Sequence, residues 1–142
     1  MRKLIDTHLH SWDLLKARYS WLDGDTSLLM QNYYPSNIEA QLQDANVSAA
    51  IMVQAANNLE DTAFMFECAE QYLWIIGVVG WVNLLDSEAA RRQLESHLQN
   101  KYFKGVRHLI NDEHDPNWLL QPAVIKSLEI LANHDIPFEV VG

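Results

Sequence analysis

Cysteine is almost absent from this sequence: Cys68 stands alone among 142 residues, so no internal disulfide can form and a reducing compartment is the expected setting. Basic residues are scarce as well. Ten Lys and Arg face 19 Asp and Glu, a net charge of −9 with a pI near 4.9. A surface of that sign has no general attraction for nucleic acid or an anionic membrane, so neither is an expected partner. No run approaches the roughly 18 apolar residues that a membrane span needs. The opening Met1-Arg2-Lys3-Leu4-Ile5-Asp6 meets an acid after two apolar residues, too short a stretch for the apolar core of a signal peptide. Glycine is sparse, and no Gly-rich loop follows the first apolar run, which argues against a dinucleotide-binding site. With 49% hydrophobic and 20% charged residues, wholesale disorder is excluded, leaving a single domain-sized piece over residues 1–142 and a cytoplasmic enzyme or binding domain as the expectation.

Short Val/Ile-rich runs alternate with helical patterns along this piece. Lys3 to His8, Ala49 to Gln54, Ile75 to Val82, Lys104 to Ile110 and Pro137 to Val141 read as strands. None keeps a sustained polar alternation, as expected of strands covered on both faces. Ser36 and Glu39 form a capping box behind Pro35, which predicts a helix to about Ala45. Asn58, then Glu60 and Asp61, open a second helix, and Asp86 or Ser87 a third with Ala90, Leu94 and Leu98 on one stripe. Pro122 suits the first position of a fourth. Such alternation demands a mostly parallel sheet with crossover helices. An open doubly wound sheet and part of a (β/α)8 barrel both fit, and five strands cannot close a barrel of eight.

The sharpest chemical feature is Asp6-Thr7-His8-Leu9-His10-Ser11-Trp12 at the end of the first strand. Alternation along a strand places Asp6, His8 and His10 on one face. Two imidazoles so spaced, at the strand end where parallel α/β folds keep their sites, can share a divalent cation, and zinc suits that donor set. Six histidines in 142 residues give about 0.25 such pairs by chance, so the spacing alone is weak and its placement is what raises it. Asp6, one step deeper, suits an orienting role toward His8. Arg107, within Phe103-Lys104-Gly105-Val106-Arg107-His108, is costly in so apolar a strand unless it faces a wet site or a partner, and guanidinium grips carboxylates and polarises carbonyls.

These residues carry a resemblance. Ile5-Asp6-Thr7-His8-Leu9-His10-Ser11-Trp12-Asp13, with Tyr19-Ser20-Trp21-Leu22, Val53-Gln54-Ala55, Gly80-Trp81-Val82-Asn83-Leu84, Gly105-Val106-Arg107-His108 and Trp118-Leu119, resembles the amidohydrolase-2 family, in order over nearly all 142 residues. Within that family it is most similar to the L-fuconolactonase-like and L-rhamnono-lactonase-like branch. The resemblance implies an α/β fold of the parallel (β/α)8 barrel (TIM barrel) type with five of eight strands present. It implies a hydrolase opening a sugar lactone or related cyclic ester, with such a small molecule as its partner. His8 and His10 would ligate the metal, zinc being the expected ion although some relatives in this branch need none, and Arg107 would bind or polarise the substrate. A late histidine and an eighth-strand aspartate, the usual general base, have no counterpart within 142 residues. The chain is therefore expected to be the N-terminal part of a longer protein, weakly active or inactive as it stands. The alternative is an inactive half-barrel that binds a ligand or assembles, as a homo-oligomer or with a separate second half, through its open edges.

Other residues could touch substrate from the same rim: Gln54 by its amide, Trp12 and Trp21 by their faces, and His108 and His114 from the loop after the fourth strand. Cys68 reads as a buried structural thiol, Trp81 as core, and His97 and His134 as surface residues near helix ends.

Overall fold

The computed structural model describes residues 4–141. Five strands run parallel in the order β1 (Leu4–Leu9), β2 (Val47–Val53), β3 (Ile75–Gly80), β4 (Phe103–Arg107) and β5 (Phe138–Glu139), each paired with its neighbour in sequence. An open doubly wound sheet reverses its strand order at a switch point, whereas an unbroken consecutive order curls one way, toward a barrel. The sheet accordingly forms a curled half-barrel. Side chains from its two edge strands meet across the concave side, where His8 Nδ1 lies 3.8 Å from Glu139 Oε1.

Helices α1 (Glu39–Asp44), α2 (Leu59–Gln71), α3 (Ser87–His97) and α4 (Pro122–Asn133) fill the crossovers. The Asn58 side chain caps α2 by accepting the Asp61 N–H at 2.9 Å, and Asp86 caps α3 by accepting from Glu88 and Ala89. Pro122 opens α4, as the sequence predicts. The first helix is shorter than its capping box suggests. Asn37 accepts the Tyr34 N–H at 2.7 Å and closes a separate 3₁₀ turn over Pro35–Asn37, so the α-helix begins only at Glu39.

The core divides along the sheet. Ala50, Met52, Ile75 and Val78 pack with Phe64, Met65 and Ala69 of α2, and Phe103 and Val106 pack with Leu94, Val124 and Leu131 of α3 and α4. A third cluster, Ala17, Tyr19, Leu22, Ala55 and Ala56, anchors the long loop after β1 onto the end of β2. Strand limits differ from expectation by one to three residues in every strand, β2 running Val47–Val53, β3 ending at Gly80 and β5 reduced to Phe138–Glu139. Lys3 falls outside the described residues. β4 stops at Arg107 instead of Ile110 because Asn57 captures the next backbone groups, its Oδ1 accepting Leu109 N–H at 2.8 Å and its Nδ2 donating to Leu109 C=O at 3.3 Å. His97, expected at the surface, is half-buried between Phe66 and Phe103, with Nε2 3.0 Å from the Trp81 carbonyl.

Candidate active site

The carboxyl ends of the strands bring His8, His10, Gln54, Arg107 and Glu139 to one rim. His10 Nδ1 lies 2.9 Å from the Val53 carbonyl, a partner that only accepts, so Nδ1 carries the ring proton and Nε2 keeps its lone pair. That Nε2 faces His8 Nε2 at 3.1 Å, with the rings edge to face. Burial, with the neighbouring His8 and Arg107, holds His10 below the ordinary imidazole value against the opposing pull of the Val53 bond, so the neutral, ligating form prevails.

Two nitrogens bound to one tetrahedral zinc at about 2.0–2.1 Å each would stand roughly 3.4 Å apart. The His8–His10 spacing and the Nε2 atoms turned toward each other therefore fit two ligands of such an ion. Among the described residues no group of three or more His, Cys, Asp or Glu converges in the same way. Asp6 does not orient the His8 ring. Its carboxylate accepts the His8 backbone N–H at 3.0 Å, while Glu139 is the acid that faces the imidazole.

A cavity of about 200 Å³ opens beside the histidines, walled by His10, Trp12, Trp21, Gln54, Arg107 and Asp112. Larger grooves of about 580 Å³ against the β1 loop and about 490 Å³ between α2 and α3 are not lined by the histidine pair or Arg107. Arg107 is 8% exposed; its Nη1 donates to the Gln54 carbonyl at 3.2 Å, and the Gln54 side-chain Nε2 returns a bond to the Arg107 carbonyl at 3.1 Å. This reciprocal pair ties the end of β2 to the end of β4 across β3. Burial lowers the Arg107 guanidinium, and the Glu139 carboxylate opposes that shift. The Gln54 Nε2 also donates to Asn57 Oδ1 at 3.1 Å, which fixes the amide orientation and leaves the buried Oε1 without a partner among the described residues.

Trp12 and Trp21 form the aromatic wall, edge to face at 5.3 Å. Each is held by its indole N–H, Trp21 on the Ala55 carbonyl at 2.7 Å and Trp12 on the Leu29 carbonyl at 3.2 Å. An antiparallel bridge between Trp12 and Tyr33 folds the loop back over the rim. The two remaining candidates stand apart from the cavity. His108 is buried beside it, stacked on Trp118 at 4.1 Å; Trp81 Nε1 donates to its Nδ1 at 3.0 Å, and its Nε2 meets Glu113 Oε1 at 2.7 Å. Those bonds fix a neutral ring protonated at Nε2 and occupy both nitrogens. Burial also lowers His108, with Glu113 pulling the other way. His114 is exposed on the following loop and does not line the cavity. Cys68 is buried in α2, where desolvation pushes its thiol up to about 12, far from any reactive thiolate.

Sequence reasoning missed Asn57 and Glu139. Asn57 sits in a Gln54-Ala55-Ala56-Asn57 run that reads as an ordinary loop. Glu139 is one acid on a short strand, and only the curl of the sheet brings it to His8. A strand-end acid on the same barrel rim as the histidine pair was the available signal.

Five consecutive parallel strands, with a histidine pair, an arginine and a cavity at their carboxyl rim, have the form of half a (β/α)8 barrel. The chain belongs to the amidohydrolase family, whose profile matches residues 5–142. It is 25% identical over 137 residues to an L-fucono-1,5-lactonase of Burkholderia ambifaria, covering 96% of this chain and 47% of that protein. To an L-fucono-1,5-lactonase of Burkholderia multivorans it is 32% identical over 111 residues, covering 78% of this chain and 37% of that one. The crystal structure of an amidohydrolase from Burkholderia multivorans with bound zinc superposes with a TM-score of 0.84 at 27% identity, over 99% of this chain and 49% of that one. A probable 2-pyrone-4,6-dicarboxylic acid hydrolase from Acinetobacter baumannii, at 18% identity and a TM-score of 0.70, shares the fold. The chain spans about half the length, or less, of the curated lactonases it matches.

Proposed function

We propose that this chain supplies the first half of a lactonase site, opening a sugar lactone or related cyclic ester by hydrolysis. The observation that carries this reading is the pair of facing Nε2 atoms of His8 and His10, 3.1 Å apart, beside a cavity into which Arg107 projects. Its relatives named as L-fucono-1,5-lactonases support the substrate class. His8 and His10 would hold a divalent ion, zinc by their chemistry, and such an ion supplies Lewis acidity and a more acidic bound water. The chain's own groups do the rest. Arg107, anchored through Gln54, stands ready to stabilise the oxyanion that develops as the lactone carbonyl is attacked. Trp12 with Trp21 packs against the sugar's apolar edge. The general base that takes the water's proton is expected from residues that follow in the full-length relatives.

The test is hydrolysis of a panel of aldono-lactones by the full-length protein, metal-depleted and zinc-loaded, beside Arg107→Met. Zinc-dependent turnover, reduced about 10²-fold or more in Arg107→Met, is the expected result. Equal turnover with and without metal would remove the metal from this reading, and no turnover on any lactone would remove the substrate class.

A further inference from the structure

We propose that Glu139 is a positioning residue for His8, accepting its Nδ1–H when Nε2 is turned to a cation shared with His10. This rests on the metal-binding reading of the histidine pair and deepens it. His10 needs no such partner, because the Val53 carbonyl already fixes its Nδ1 proton. Among the described residues no backbone group offers His8 an equivalent, and the group facing its Nδ1 is Glu139 Oε1 at 3.8 Å. That distance lies within ion-pair reach and outside a formed hydrogen bond. Cation binding at Nε2 makes Nδ1–H a stronger donor, which favours shortening the contact. Glu139 meets the His8 Nδ1, not the Nε2 that faces His10, and does not converge with the pair as a third ligand among the described residues, so it acts through His8.

Two further observations support the assignment. The second carboxylate oxygen, Oε2, is buried without a partner among the described residues, so this acid is held at the rim by its place on the strand and not by an internal hydrogen bond at that oxygen. Arg107 is its register partner on β4, and the carboxylate's charge acts on that guanidinium as well as facing the His8 ring. A cation shared by His8 and His10 would suffer repulsion from Arg107, and a nearby negative charge offsets it. The histidine and the acid come from the two edge strands of the sheet, so the contact exists only once the half-barrel has curled.

The experiment compares wild type with Glu139→Leu, which removes the acceptor, and Glu139→Gln, which keeps an oxygen without the charge. Side-chain ¹⁵N NMR of the zinc-loaded chain reads the His8 Nδ1–H and its hydrogen bond, zinc titration calorimetry reads affinity, and circular dichroism checks the fold. Without metal the 3.1 Å contact makes His8 Nε2 the donor to the His10 Nε2 lone pair, and in zinc-loaded wild type the proton is expected on Nδ1, bonded to the Glu139 carboxylate. In Glu139→Leu that bond is lost and zinc affinity falls 10- to 100-fold, the range seen when such outer partners are removed. Glu139→Gln is expected between the two, and it carries the affinity test if the leucine variant fails to fold. In a His8→Ala background neither variant should change zinc affinity further. Zinc binding by wild type with unchanged Nδ1–H signal and affinity in a folded variant would overturn the positioning role alone. No zinc binding by wild type would overturn the metal reading and, with it, the proposal that rests on it.

Discussion

At the scale of single residues, the site is a set of side chains whose free atoms are decided by what their other atoms hold. His10 has Nε2 to offer because Val53 takes Nδ1, and Gln54 has its amide fixed because Arg107 and Asn57 take its amide protons. His108 has nothing to offer, since Trp81 and Glu113 engage both nitrogens. Much of this was open to sequence reasoning. Strand alternation puts His8 and His10 on one face, and an arginine in an apolar strand marks a wet or paired position. The bonds that separate Gln54 from His108 were not legible, because they depend on partners brought in from other loops. Asp61 shows the same dependence. Its buried carboxylate accepts from Ala55, Ala56 and Tyr19, yet desolvation outweighs those bonds and raises it from 3.8 to about 6. A folded value above the unfolded one means that the native state binds the proton more tightly. The contribution is therefore fully present below about pH 4 and is lost as pH rises to about 6, a change of roughly 3 kcal/mol. Urea unfolding of wild type and Asp61→Asn across pH 4–7 should show the variant gaining relative stability as pH rises. A constant difference across that range would contradict the assignment.

At the scale of elements, the strands and helices were readable because caps and breakers are local chemistry. Asn58, Asp86 and Pro122 each start the helix their chemistry predicts. The misplaced boundaries trace to non-local or competing bonds: Asn57 ends β4, and Asn37 converts the start of the first helix into a 3₁₀ turn. Close packing of α2 on β3 was also invisible in sequence. A Cβ on Gly80 would lie 2.7 Å from Thr62 Cγ2 and 3.2 Å from its Oγ1, the hydroxyl that accepts the Trp81 N–H at 2.9 Å. Gly80→Ala is expected to force the two elements apart at a cost of about 1–3 kcal/mol, read as a lowered urea midpoint. An unchanged midpoint would show that Thr62 can turn aside without loss.

At the scale of the whole molecule, consecutive strand order decides between the two architectures that alternation alone left open. It also explains why the rim was only half legible. The residues of β1 and β4 announce themselves, whereas Glu139 matters only because curling brings the edge strands' side chains together. Those edges remain a structural fact with consequences: β1 and β5 each pair on one side, and Leu4, Ile5 and Val140 are exposed along them. The relatives' greater length is consistent with further strands covering such edges. The central claim is that the His8–His10 pair already presents two ligands for one divalent ion within this half-barrel, and zinc titration of wild type beside His10→Ala tests it most directly. One zinc per wild-type chain, with binding abolished or severely weakened in a folded His10→Ala, is the expected result. No binding by wild type, or equal binding by both, would contradict it.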